Sequence, residues 1–166
     1  MKRFVKKWES EEKYNMTQKD KELLLKDLCE RLPYKVKVQD TYYNELEPAP
    51  IWLLDLNAQA VRLFADEGYQ SIEYIKPYLF PLSSMTEEQE KELITITDGN
   101  FRYMWGDITN AIPRKNTSEW GISENAFING IKVINILYIW LLKNHFDING
   151  LIPMGLAKDA TGLNIY

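Results

Sequence analysis

His145 and Asp147 stand two residues apart, and Cys29 is the one cysteine of a chain with one histidine, so these three are the starting stock for acid–base or thiol chemistry. An imidazole oriented by a carboxylate can serve as a general base, and a thiol beside an imidazole can serve as a nucleophile. Nothing in the sequence brings Cys29 to His145. By spacing Cys29 shares a helical face with Leu25, Leu28 and Leu32, where a buried inert thiol is expected. His145 follows the last helical run, where a cation would complement the negative end of the helix dipole. With one His and one Cys, Cys/His zinc sites and HExxH helices are excluded.

Carboxylates are more plentiful. Two of Asp55, Asp66, Glu67 and Glu73 converging in a pocket would suit a carboxylate-dependent hydrolase; a solvated acidic face is the plainer reading. Ser83 and Ser84 precede a helix, and turn formation and capping account for both hydroxyls, since no base can be assigned to them. Asp98-Gly99-Asn100 opens like a calcium loop, yet Arg102 and Thr109 occupy its fifth and twelfth positions, so a plain turn is expected. The chain has no G-x-G-x-x-G, P-loop or G-x-S-x-G. No catalytic residue, metal ligand or cofactor site is assigned, and an enzyme is not expected.

Binding residues are easier to nominate. The net charge of −4 is unevenly spread: residues 1–37 hold eleven Lys/Arg against seven Asp/Glu, residues 38–100 three against twelve, and residues 101–166 six against five. An acidic middle repels phosphates, because nucleic-acid affinity comes largely from cations that neutralise them. Only the start has the right sign. Lys2, Arg3, Lys6 and Lys7, interleaved with Phe4 and Trp8 and joined by Lys35 and Lys37, are the candidate nucleic-acid contacts. Tyr103, Trp105 and Trp120 form the candidate protein-binding patch, since Trp and Tyr dominate interface hot spots.

The elements that would position these residues follow from pattern. Thr17 with Asp20 three residues on marks a helix start, and Pro33 stops that helix. Tyr34, Val36 and Val38 alternate with Lys35, Lys37 and Gln39 as in a half-buried strand. After the break at Pro48 and Pro50, Ile51–Leu56 and Ala60–Ala65 read as two strands around Asn57-Ala58-Gln59, in preference to a helix over residues 53–66. Ser71–Ile75 reads as a fourth short strand, and Pro77 and Pro81 hold an extended path after it. Thr86 and Gln89 make a capping box for a helix over about residues 87–96, with Glu87 and Glu88 in its first turn.

The second half is read more coarsely. Residues 101–121 are irregular but rich in aromatics, and packing of that segment is expected. From Ser123 onward Phe127, Ile131, Ile134, Tyr138 and Leu141 recur at helical spacing; the apolar stretch is too short for a membrane span of about 20 residues, so a buried helix is expected. Gly150, Pro153, Gly155 and Gly162 mark the tail from about 147 as loop-like. A content of 45% apolar and 13% aromatic residues speaks against disorder over most of the length.

The runs Pro33–Val38, Ile75–Gln89, and Asn144–Asp147 followed by Gly150-Leu151-Ile152 resemble a family of small uncharacterised proteins encoded by phages and prophages of gut bacteria. The resemblance touches the start, middle and end of residues 16–166. Residues 1–15 look additional to it, and Pro153-Met154 falls where a more polar pair is expected. It implies a mobile-element context and no particular activity.

The resulting expectation is an α+β chain: a charged extension over residues 1–15, then one domain over 16–166. That domain holds an N-terminal helix, a small antiparallel sheet or barrel of about four strands, a capped helix and a buried C-terminal helix. The expected function is that of a non-enzymatic accessory protein of a mobile element, acting through contacts with a protein partner. The alternatives are nucleic-acid binding through the basic N-terminal region and the carboxylate-dependent hydrolase. A cytoplasmic location is expected from the single cysteine and the absence of an export signal at the start; composition and pattern do not set the oligomeric state.

Overall fold

The computed structural model describes residues 16–42, 47–63, 68–97 and 124–166, with the side chains of the last helix described from Ile131 onward. The extension 1–15 and the stretch 101–121 lie outside the described residues, and so do Asp66, Glu67 and the turn at 98–100.

Both capping boxes form. Helix α1, Gln18–Arg31, starts where the Thr17 hydroxyl accepts from the Asp20 N–H at 3.2 Å and the Asp20 carboxylate accepts from the Thr17 N–H at 3.0 Å. Helix α2, Glu87–Ile96, repeats the arrangement: Thr86 Oγ1 accepts from Gln89 N–H at 3.3 Å and Gln89 Oε1 from Thr86 N–H at 2.9 Å. Each box satisfies two of the N–H groups that a helix start leaves without intrahelical partners.

Among the described residues six strands follow one another as β1 (Lys37–Asp40), β2 (Ala49–Asp55), β3 (Ala60–Leu63), β4 (Tyr69–Ser71), β5 (Ile75–Leu79) and β6 (Lys158–Asp159). They form one sheet in the order β4-β3-β2-β1-β5-β6, antiparallel except for the β5–β6 pair. The hairpin over β2 and β3 is present, with Leu53 opposite Arg62 and Asp55 opposite Ala60. The sheet is open, not a barrel, and it has six strands where about four were expected. One extra strand comes from Ser71–Ile75, where the Ile72–Tyr74 turn separates β4 from β5. The other is β6, in the tail.

Two prolines sit in interior strands without disrupting the ladder. Pro50 pairs with Lys37 across β1, and β2 meets β3 only from Ile51 onward. Pro77 pairs with Val38, and β5 meets β6 only from Tyr78 onward. Each proline therefore stands where the ladder has one side, which tolerates the missing N–H.

α1 covers one face of the sheet. Leu24, Leu25 and Leu28 join Val36, Val38, Ile51, Val61, Leu63, Ile72, Ile75 and Leu79 in the main core. The tail is turns and loop apart from β6, as its composition predicts, and it completes that core with the buried side chains of Leu151, Leu156 and Ala157. A second cluster joins Leu93 of α2 to Trp140 and Leu141 of helix α3, Glu124–Lys143, and to Phe146 beyond it.

Two helix faces differ from expectation. In α1 the buried residues are Leu24, Leu25, Asp27, Leu28 and Arg31, whereas Cys29 is exposed. The helix is rolled by about one position, because Asp27 and Arg31 neutralise each other and can go inside as a pair. In α3 burial is confined to one end. Trp140, Leu141 and Leu142 are buried, but Ile131, Ile134, Ile136, Tyr138 and Ile139 remain between 38% and 53% exposed. Over its described side chains this helix packs on one side only. Among the described residues no helix is long and apolar enough to cross a membrane.

Candidate functional site

The most concentrated polar chemistry lies where α1 meets the end of α3. Arg31 forms a two-pronged pair with Asp27, Nε to Oδ2 at 2.7 Å and Nη2 to Oδ1 at 3.0 Å, with both side chains fully buried. Arg31 Nη2 also donates to the Phe146 carbonyl at 2.7 Å, and Asn149 Nδ2 donates to Asp27 Oδ1 at 2.8 Å. The pair thus couples α1 to the chain just past α3. Asp147, two residues on from His145, spends both carboxylate oxygens on the backbone N–H groups of Leu151 and Ile152, each at 2.8 Å. It shapes the turn into the tail.

His145 ends α3 in the left-handed region, φ 60°. Its N–H donates to the Leu142 carbonyl at 3.1 Å, and the Phe146 N–H donates to Leu141 at 2.9 Å, the paired bonds of a Schellman cap. The imidazole is buried and stacked on the Tyr166 ring, with centroids 3.9 Å apart and planes 12° from parallel. Burial first, and the Arg31 charge second, pull its pKa down to about 4. At neutral pH it is uncharged, so the expected cation at the helix end is absent. Burial likewise holds the Tyr166 phenol up at about 12.

Among the described residues, the other nominated side chains do not gather. Lys35 sits in the left-handed region at φ 56°, ending the turn that precedes β1, and Lys37 Nζ donates to the Ile165 carbonyl. Lys2, Arg3, Lys6 and Lys7, and Tyr103, Trp105 and Trp120, lie outside the described residues. Of the hydrolase carboxylates, Asp55 accepts from the Asn57 and Ala58 N–H groups in the hairpin turn, and Glu73 pairs with Lys21 at 3.3 Å. Ser84 donates to the Pro81 carbonyl at 2.7 Å as part of a turn. Cys29 is exposed, and partial desolvation first and the Glu30 charge second raise its thiol pKa. Among the described residues no group of three or more His, Cys, Asp or Glu could hold a metal ion.

The surface offers a different kind of site. From Ile131 to Ile139 the outward side of α3 presents four isoleucines and Tyr138, and Lys132 is its one charged residue. Tyr138 is fixed there by donating to Glu30 of α1 at 2.6 Å. A helix face this rich in exposed isoleucine, broken by Lys132 and Asn135, suits a position against another protein. The helical spacing predicts a core position for this stretch, because period alone cannot tell an inner stripe from an outer one. The Asp27–Arg31 pair, absent from the residues nominated by type, carries a sequence signal in the spacing of four between opposite charges on a helix.

Comparison of the chain with protein-family models, with curated proteins and with solved structures finds no match to any of them.

Proposed function

We infer that this chain is a non-enzymatic accessory protein that works by binding another protein through the outward face of α3. The mobile-element setting of that role comes from the resemblance of its three sequence runs alone. One observation carries the binding reading: Ile131, Ile134, Ile136, Tyr138 and Ile139 are each at least 38% exposed on one helix. Apolar patches of this kind on a folded domain mark interaction sites. The partner chemistry that fits is an apolar, uncharged protein surface. Phosphates gain nothing there, since Lys132 is the one cation on that stretch.

The test is affinity purification from an expressing host with the wild type and Ile134→Glu. Because Ile134 is exposed, the substitution leaves stability within about 0.5 kcal/mol, and a stoichiometric partner should be retained by the wild type and lost by the variant. Identical captures from both would overturn the reading. So would nanomolar, salt-dependent DNA or RNA binding that Ile134→Glu leaves intact, which would favour the basic N-terminal region instead.

A further inference from the structure

Tyr166 lies in an open slot that engages one ring face and the hydroxyl of the phenol and leaves 44% of the residue exposed. One ring face stacks on the buried imidazole of His145 at 3.9 Å, and Phe80 lies tilted against the ring at 6.0 Å. The hydroxyl accepts from the Lys37 N–H at 3.2 Å and donates to the Tyr78 carbonyl at 2.7 Å. Those two backbone groups belong to neighbouring strands. The β1–β5 register pairs Val38 with Pro77, so Lys37 and Tyr78 are the next opposed residues, and the phenol oxygen links them where the strands part.

The slot is built by parts of the chain that are fixed without Tyr166. His145 is held by its Schellman cap and by Phe80 N–H donating to its carbonyl at 2.9 Å. Lys37 and Tyr78 belong to paired strands. The segment that delivers Tyr166 is held by short-range bonds: Thr161, Gly162, Leu163 and Asn164 are exposed, the Thr161, Leu163 and Ile165 N–H groups donate to Asp159, Ala160 and Leu163, and its long-range hydrogen bond before Tyr166 runs from Lys37 Nζ to the Ile165 carbonyl.

We propose that His145, Phe80, Lys37 and Tyr78 form a tyrosine-recognition slot, filled here by Tyr166 and able to take the tyrosine side chain of a peptide when that residue lifts away. Recognition combines ring stacking with a donor and an acceptor spaced for one hydroxyl, which sets a phenol apart from a plain aromatic ring. The slot is independent of the α3 face, so either can fail without the other.

The test is chemical rescue of Tyr166→Ala, followed by NMR at the Lys37 amide and the His145 imidazole. Added p-cresol should shift both signals with a dissociation constant of order 1 mM, and toluene should bind about tenfold more weakly for want of the hydroxyl. N-acetyltyrosinamide should compete with p-cresol, and the wild type should ignore all three at the same concentrations. A second variant, Tyr166→Phe, keeps the stack and should change the Lys37 amide while leaving the His145 signals in place. If Tyr166→Ala is folded and silent to p-cresol, or answers toluene equally, the proposal falls. If Tyr166→Ala does not fold, an undisturbed Lys37 amide in Tyr166→Phe overturns it.

Discussion

His145 keeps a neutral imidazole in the folded protein because burial and the Arg31 charge hold its pKa at about 4, against an ordinary 6.5. Between those two values the unfolded chain binds a proton that the folded chain refuses. The stabilisation is therefore complete above about pH 6.5 and declines as pH falls towards about 4, at about 1.4 kcal/mol per unit and of order 3 kcal/mol in all. Urea midpoints of the wild type should fall over that range more steeply than those of His145→Asn, a replacement that does not titrate and tolerates the left-handed backbone. Parallel curves would clear His145 of responsibility. The sequence placed this residue just past the last helix but could not show its neutrality, which follows first from burial and second from an arginine 114 positions earlier in the chain.

At the scale of elements, the helix starts were the most legible features, because a capping box is closed within four residues and needs no tertiary partner. Thr86→Ala should lower stability by about 1 kcal/mol in chemical denaturation, and Thr86→Ser should restore most of it. Hydrogen exchange should quicken first in α2. Any binding through α3 should be unchanged, because Thr86 caps a different helix. The hairpin over β2 and β3 was legible for the same local reason, with Asp55 taking two turn N–H groups at 2.9 Å and 3.0 Å. The side on which a helix is buried was not local. α1 rolled to enclose the Asp27–Arg31 pair, and α3 left outside the residues whose spacing had suggested a core face.

For the molecule as a whole, the tail decides more than its composition suggests. Gly150 and Gly155 take φ of 69° and 72°, a backbone that other residues rarely adopt, and they route the chain back under α1 to bring in Leu151 and Leu156. Leu156→Ala should cost about 2–5 kcal/mol, whereas Met154→Ala on the surface of the same turn should stay within about 0.5 kcal/mol. Thermal unfolding of the two variants checks this, and equal small shifts would show the tail to be peripheral. By itself the sequence determined what depends on near neighbours: the α+β class, both capped starts and the hairpin. Only the tertiary structure decided the six-strand order, the burial of Asp27 with Arg31, the sixth strand in a glycine-rich tail, and the slot around Tyr166. Each of those joins residues far apart in the chain, and their energy comes from desolvation and pairing that no single segment contains.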